Sequence, residues 1–322
     1  MTTLAIIASF FTIVEMNCEN LFDCRHDTLK NDVEFTPEGN RQWTFSRYRQ
    51  KTLNIAQTLM ACGPEGTMPD LMALCEVEND TVMERLTRLT PLSGGNYGYV
   101  MTNSRDQRGI DVALVYRRLT FKPLDTQCIR VEGDFGDHPP RDILYVKGLA
   151  GNSDTLHVMV VHAPSRIGGS ETIPRRMAFT RALTHVIDSL NTATPDARIV
   201  VTGDFNATSD ERSLEEMTGH GMVNTGQGAE GSNGAKGTYK YQGKWETIDH
   251  MLVSRSLAAL PHSFTIHDLP HLLEPDNRYG GVKPRRTFYG RRYNAEGCSD
   301  HLPISLSVQL RGVKMGSYNG KL

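Results

Sequence analysis

Ile199-Val-Val-Thr-Gly-Asp-Phe-Asn206 is the stretch on which the reading of this chain turns. A run of β-branched residues too short for a helix, closed by a glycine, reads as a buried strand. Directly after it come an acid and an amide two residues apart. Alternate residues of an extended chain point to one side, so Asp204 and Asn206 can share a face at the strand's end. The same pattern recurs along the sequence. Phe11-Thr-Ile-Val14 leads into Met16-Asn17, and Asp70-Leu-Met-Ala-Leu74 into Cys75-Glu76. Val112–Tyr116, Thr155–Val161, Ile248–Val253 and Ile304–Leu310 are likewise short, apolar and bounded by polar or glycine residues.

Two stretches read as helices. Over Arg47–Met60, Tyr48, Thr52, Ile55 and Leu59 recur at helical spacing, with arginine and lysine on the opposite face. Over Pro174–Leu190 the stripe is Phe179, Leu183, Val186 and Leu190, and Pro174 suits a first turn. Strands and helices mix without strict βα alternation, so sheets flanked by helices are favoured over a barrel. Residues 219–237 hold seven glycines and no apolar period, which predicts a mobile loop too short to be a domain boundary. With no repeat and no linker, residues 1–322 read as one domain.

Composition bounds the function. Against 37 acidic residues stand 35 basic ones, a net charge of −2, which excludes coating nucleic acid through bulk charge. At 39% hydrophobic and 22% charged, the chain can build a core. It has no apolar run of the length a membrane span needs, about 18 residues. Leu4–Phe11 is the only candidate anchor, and no basic residue precedes Arg25, a poor export-signal pattern. The six cysteines (18, 24, 62, 75, 128 and 298) are scattered, without zinc-like spacing, and read as small buried thiols. A cytoplasmic monomer is the default expectation; export with a trimmed signal is the alternative.

Polar groups cluster at the strand ends. Asn17 and Glu19 follow the first apolar run, and Glu76 the second. His162 closes Val158-Met-Val-Val161, Asp249 lies in Thr247-Ile-Asp-His-Met-Leu252, and Asp300-His301 precedes Leu302-Pro-Ile304. Strand ends converge on one rim of a sheet sandwich, and this assortment suits hydrolysis at phosphorus. Carboxylates from separate strands can hold Mg²⁺ or Mn²⁺, which favour oxygen ligands and keep open water positions. A histidine oriented by an acid can activate water or stabilise five-coordinate phosphorus, and an amide can donate to a phosphate oxygen. Singly, each residue has a structural explanation: a turn closed by Asp204 or Asn206, a cap at Asp300, a solvated Glu76. Together and in this order they point to a site.

Asn17-Cys-Glu-Asn-Leu-Phe-Asp23, Leu74-Cys-Glu76, Gly203-Asp-Phe-Asn206, Ile248-Asp249 and Ser299-Asp-His-Leu-Pro-Ile304 resemble the endonuclease/exonuclease/phosphatase superfamily, which includes deoxyribonuclease I, exonuclease III-type repair nucleases, neutral sphingomyelinases and inositol polyphosphate 5-phosphatases. The wider phrases, Arg108-Gly-Ile-Asp-Val-Ala-Leu-Val-Tyr116 among them, are similar to a bacterial branch common in Bacteroides-like species. The resemblance runs from residue 11 to about 310, leaving a short C-terminal tail. It implies a four-layer α/β/β/α sandwich with the active site at one edge of two mixed sheets. It also implies that Glu76 is the principal metal ligand, with Asn17, Glu19 and Asp300 near the same ion. Asp249 would orient His301, Asp204 would position or deprotonate the attacking water, and Asn206 would hold a phosphate oxygen. His162 would contact the phosphate, with Asp111 as its carboxylate partner. Glu19 departs from the deoxyribonuclease I pattern and is closer to the acid of repair nucleases.

Two basic groups could read the substrate. Lys283, Arg285, Arg286, Arg291 and Arg292 put five positive charges into ten residues, where a solvated loop is an equal expectation. Arg166 follows His162 closely enough to reach a phosphate bidentately. Tyr239, Tyr241 and Trp245 could stack a base, although packing of a hairpin is the favoured reading. The Trp-Cys-Asp-Arg signature of the inositol phosphatases is replaced here by Glu246-Thr-Ile-Asp249-His250, and no apolar hairpin suits a sphingomyelinase. The expectation is therefore a phosphodiesterase or nuclease using Mg²⁺ or Mn²⁺, with nucleic acid among its candidate substrates. A phosphatase or lipid phosphodiesterase of the same fold is the alternative. A dead binding module is disfavoured, since Glu76, Asp204, Asn206, Asp249, Asp300 and His301 are all retained.

Overall fold

The computed structural model describes residues 10–133, 135, 139–151 and 154–310, apart from the side chain of Glu65. Residues 4–9 of the apolar Leu4–Phe11 stretch and the C-terminal tail lie outside them. In chain order, β1 (Phe11–Leu21), α1 (Phe45–Ala61), β2 (Leu71–Val77), α2 (Asp80–Arg88), β3 (Tyr97–Met101) and β4 (Asp111–Arg117) build most of one sheet and its cover. β5 (Phe121–Ile129), β6 (Ile143–Ala150), β7 (Asp154–His162), α3 (Ile173–Ala193), β8 (Arg198–Asp204), α4 (Arg212–Gly219) and β9 (Met222–Asn224) build most of the other. The hairpin β10 (Tyr239–Tyr241) and β11 (Lys244–Glu246) precedes β12 (Asp249–Ser254), the short α5 (Arg255–Ala258) and β13 (His262–Ile266). Two further hairpins, β14 (Leu273–Pro275) with β15 (Val282–Pro284) and β16 (Phe288–Tyr289) with β17 (Arg292–Tyr293), lead to β18 (Ile304–Val308).

The two six-stranded sheets have the orders β13-β18-β1-β2-β4-β3 and β5-β6-β7-β8-β12-β9. Each contains one parallel pair, β1 with β2 and β7 with β8, and each pair is joined by a helical crossover, α1 or α3. A parallel pair needs such a crossover, which covers one sheet face with a helix and leaves the other to meet the second sheet. Side-chain parity follows. Met159, Val161, Ile199 and Val201 pack with Phe179, Leu183 and Ile187 of α3, whereas Val158, Val160 and Val200 join the core between the sheets. The fold is a four-layer α/β/β/α sandwich of two mixed sheets flanked by helices. By the same parity Asp204 and His162 face the second sheet from the ends of β8 and β7. Gly203 is required there, since a Cβ would stand 1.8 Å from the Val161 carbonyl oxygen.

The expected strands and both expected helices are present with shifted ends, most of them longer, while the expected Ile304–Leu310 stops at Val308. Three features differ from expectation. Strands β3, β5, β6 and β13 lie outside the expected set: β5 is an edge strand containing Pro123 and mostly exposed, so it lacks the apolar run of a central strand, whereas β6 has that run in Ile143-Leu-Tyr-Val146 and escaped the sequence reading nonetheless. The glycine-rich segment 219–237 is pinned rather than loose: it contains β9, and the backbone N–H groups of Ser232, Asn233 and Ala235 all donate to the Asp268 carboxylate. Lys51, assigned to the polar face of α1, is buried with only 1% exposure.

Candidate active site

Sheet register assembles the centre of the rim. Asp204 is paired in register with Asp249 across the antiparallel β8–β12 ladder and with His162 across the parallel β7–β8 ladder. His301 enters from the turn before β18 and donates from Nδ1 to both oxygens of the fully buried Asp249, at 3.0 and 2.9 Å. Its Nε2 faces Asp204 Oδ2 at 4.0 Å, and the Tyr239 ring packs 4.9 Å from its own. Burial works to lower the His301 pKa, but the Asp249 carboxylate and its bond, helped by Asp204 and Asp300, push it well above the ordinary value. Burial raises Asp204 to about 7, with His301 opposing and Asp249 adding to the rise. Asn17 Nδ2 donates to Asp204 Oδ2 at 3.1 Å, and the backbone N–H of Asn206 donates to Oδ1 at 2.8 Å, so the carboxylate is fixed in direction. Ligand atoms of Asp204, Asp249 and His301 lie within 4.8 Å of one another. A charged imidazole has no lone pair for a metal, so this trio is built to handle protons.

His162 Nε2 lies 3.5 Å from Asp204 Oδ2 and 3.9 Å from Glu76 Oε1. Burial, then the charges of Arg141, Arg108 and His301, hold its pKa well below the ordinary value, so the ring is neutral near pH 7. The expected partnership with Asp111 is not formed. Asp111 Oδ1 accepts from Thr102 Oγ1 and the Ser104 N–H, and His162 Nδ1 has no hydrogen-bond partner among the described residues. The turn between β3 and β4 binds Asp111 to its own loop.

Where β1 and β2 leave the sheet, Glu19, Asn20 and Glu76 take positive φ of 47°, 60° and 59°. Non-glycine residues adopt this conformation at a cost that functional sites tolerate. The bend lets the Asn20 N–H donate to Glu76 Oε2 at 2.8 Å. Among the described residues, Glu76 Oε1 has Arg108 and His162 as its ion-pair partners, each at 3.9 Å. An under-coordinated carboxylate oxygen at the rim is the kind of donor a hard divalent cation takes. Asn17 Oδ1 already accepts from the Glu19 N–H at 2.9 Å. Glu19 itself fits a metal poorly: its Oε1 accepts from Arg286 Nε at 3.2 Å and its Oε2 from the Thr287 N–H at 2.6 Å. Asp300 Oδ2 accepts from Arg286 Nη2 at 2.8 Å.

Arg166 stands at the rim in ion pairs with Glu246 and Glu211. Asn206 Nδ2 donates to the Ala163 carbonyl at 3.1 Å, leaving one of its two amide protons for a ligand. Three of the five charges in the basic group 283–292 are tied to carboxylates, Lys283 to Glu274, Arg285 to Glu296, and Arg286 to Glu19 and Asp300, while Arg291 and Arg292 are exposed. Tyr241 is exposed at the tip of its hairpin, while Tyr239 reaches His301.

The sequence model of the Endonuclease/Exonuclease/phosphatase family matches residues 12–310. The chain belongs to that family. It is a family of phosphoester hydrolases. Solved structures share the fold at low identity. The family member from Bacteroides vulgatus superposes with a TM-score of 0.61 at 15% identity, covering 94% of this chain and 100% of its own. The mannosyl-6-phosphatase of Bacteroides thetaiotaomicron gives 0.58 at 14%, covering 92% and 98%. Truncated TDP2 of Caenorhabditis elegans gives 0.56 at 16%, covering 94% and 98%. No curated protein matches this family member's sequence.

Three site residues escaped the sequence reading. Glu15, fully buried on β1, has Oε2 without a hydrogen-bond partner; burial, then Asp249 and Asp204, raise its pKa well above the ordinary value. Its signal was available: an acid two residues before Asn17, inside an otherwise apolar strand. Lys51 and Thr287, beneath Glu19, have no such signal, since a helix lysine and a loop threonine are ordinary surface residues.

Proposed function

We propose that this chain is a divalent-metal-dependent phosphoester hydrolase, a phosphodiesterase by default, that attacks phosphorus with an activated water. The observation that carries the reading is the Asp249–His301 pair, both carboxylate oxygens on Nδ1, with Nε2 turned toward Asp204. Asp204, pushed up to about 7, is suited to take a proton from water near neutral pH. The charged His301 keeps its Nε2–H for a phosphoryl oxygen or a leaving group, where a preorganised donor stabilises developing charge. Neutral His162 and the Asn17 amide hold Asp204 from either side, and the remaining Asn206 proton is available to a phosphate oxygen. Family members typically use divalent metals. Glu76 and Asp300, with Asn17 beside them, are the residues that would hold Mg²⁺ or Mn²⁺, which supplies charge neutralisation at the phosphoryl oxygens.

The charge pattern supports small phosphodiesters over duplex nucleic acid. Arg141, Arg166, Arg176, Lys240, Lys283, Arg285 and Arg286 are all paired with carboxylates. Backbone binding to a duplex draws on uncommitted lysines and arginines. The test is hydrolysis of bis-p-nitrophenyl phosphate in Mg²⁺ or Mn²⁺, with and without EDTA, followed by plasmid DNA, RNA and phosphomonoesters. Metal-dependent turnover of the diester is expected. Absence of turnover on every phosphoester would leave a binding module and refute the proposal.

A further inference from the structure

We propose that Arg286 binds the non-bridging oxygens of the substrate's reacting phosphoryl group, and that Glu19 is not a metal ligand but the seat that fixes the Arg286 guanidinium. The inference rests on the phosphoester reading above and adds to it the residue that recognises the phosphoryl group.

Glu19 is saturated. Arg286 Nε and the Thr287 N–H occupy its two carboxylate oxygens, and its backbone carbonyl accepts from Lys51 Nζ at 2.6 Å. Lys51 Nζ also donates to Thr287 Oγ1 at 2.7 Å, and Thr287 Oγ1 donates on to the Cys298 carbonyl at 3.3 Å. Glu19, Lys51 and Thr287 are all buried, so the carboxylate and the ammonium beneath it form a closed structural unit. A cation at Glu19 would have to enter a buried site beside the positive charges of Lys51 and Arg286 and compete with the Thr287 N–H and Arg286 for the carboxylate.

Arg286 is the part of this unit that meets solvent, with 41% of its side chain exposed. A guanidinium carries five N–H donors in a planar fork. One on Nε goes to Glu19 and one on Nη2 goes to Asp300, the residue before His301. Three donors remain, on a group held by two carboxylates and so already oriented. That is the geometry in which arginine recognises phosphate. Charge within the unit balances, Lys51 and Arg286 against Glu19 and Asp300, so seating the guanidinium leaves no buried charge uncompensated. A latch between β1 and the loop before β18 would not need those three donors at the rim beside His301.

The experiment is calorimetric titration of inorganic phosphate into the Mg²⁺-loaded protein, with Mg²⁺ alone titrated separately, for wild type, Arg286→Lys, Arg286→Met and Glu19→Gln. Arg286→Lys keeps the charge but loses the fork, and a roughly 10-fold or greater loss of phosphate affinity is expected, in line with charge-assisted bonds. Arg286→Met should lose at least as much. Glu19→Gln should weaken phosphate by a smaller factor and leave Mg²⁺ binding unchanged. Three results would overturn the proposal: no phosphate binding by the wild type, unchanged phosphate affinity in both Arg286 variants, or a loss of Mg²⁺ affinity in Glu19→Gln as large as in Glu76→Gln. If Glu19→Gln does not fold, the half-exposed Arg286 variants still decide. Phosphate binding through Arg286 without hydrolysis of any phosphoester would sink the proposed function and leave this inference standing. Hydrolysis with unchanged phosphate affinity in both Arg286 variants would do the reverse.

Discussion

The rim has two sides, built by different means. On the β7–β8–β12 side, His162, Asp204 and Asp249 stand in one row whose spacing is set by ladder register, all buried and all at the ends of regular strands. On the β1–β2 side, Glu19, Asn20 and Glu76 sit where the backbone departs from strand geometry with positive φ, and Arg286 arrives from a loop. The first side is rigid because moving any member would break a sheet. The second is held by side-chain bonds that leave Glu76 an acceptor and Arg286 donors for a ligand. Proton handling needs fixed geometry, whereas ligand binding needs groups that can trade partners, and the two constructions match that division.

The sharpest way to break the comparison is to remove a member of the rigid side. Asp249→Asn should cost roughly 10²- to 10⁴-fold in rate, the range of a lost positioned acid–base group. His301→Ala should cost at least as much. The double variant should be little worse than the worse single one, because groups acting as a unit are non-additive. The pH profile gives an independent check. Activity should rise through about pH 7 as Asp204 loses its proton, and fall above the raised pKa of His301. Both limbs report the coupled group. Asp249→Asn removes the main charge favouring the imidazolium, so the alkaline limb should move to lower pH. Additive rate losses with folding intact would mean that the pair is not a unit and that Asp204 acts on the water alone.

The adaptable side should respond in binding rather than in proton chemistry. Glu76→Gln should weaken Mg²⁺ affinity more than Asp249→Asn does, because it removes charge from a direct oxygen donor, while Asp249 only orients His301. Calorimetric titration of Mg²⁺ compares them. Equal losses would erase the distinction between the two sides.

The difference between the sides also explains what could be read from the sequence. An acid at either end of an apolar run is a visible signal, so the rim positions of Asp204, Asp249, Glu76 and the Asp300-His301 pair were legible, as were most central strands and both long helices. Edge strands such as β5 were not, because half-exposed residues dilute the pattern. Neighbourhoods made by loops were the least legible. The tie of Arg286 to Glu19 spans 267 positions, and nothing local distinguishes it from a solvated arginine. Asp111 was expected beside His162 from the family resemblance alone, but its own turn satisfies it first. Lys51 was assigned to solvent by helical period, and only the bent exit of β1 creates its buried acceptors.

Glu15 lies beneath the rigid side and offers a test by stability. Its pKa is raised on folding, so the stability it contributes is fully present below its unfolded value and is lost as pH rises through the folded one. Glu15→Gln cannot titrate. Relative to wild type, its melting temperature should therefore improve as pH rises from about 4, the unfolded glutamate range, toward 8. A difference that does not change with pH would mean that Glu15 carries no raised pKa and that its environment is more polar than its burial suggests.

The smallest effect is expected at Arg166, which belongs to the adaptable side in kind although it follows β7 in sequence. Its guanidinium is one-third exposed and shared between Glu246 and Glu211, so a substrate must compete with two carboxylates for it. Half-exposed ion pairs are worth roughly 0–1 kcal/mol, which limits a replaced contact to about 5-fold. If Arg166 grips a non-reacting part of the substrate, Arg166→Ala should raise KM by about that factor and leave kcat nearly unchanged, the pattern of uniform binding. Glu246→Gln frees the guanidinium from one competitor, so its KM should fall or hold. A tie between the 163–169 loop and the β10–β11 hairpin predicts otherwise: both variants would lower the melting temperature alike, with KM unmoved in each. Steady-state kinetics on bis-p-nitrophenyl phosphate, read beside thermal melts of the same preparations, separates the two. Opposite movements of KM in the two variants would place Arg166 among the groups that exchange partners, and parallel melting shifts alone would return it to the scaffold.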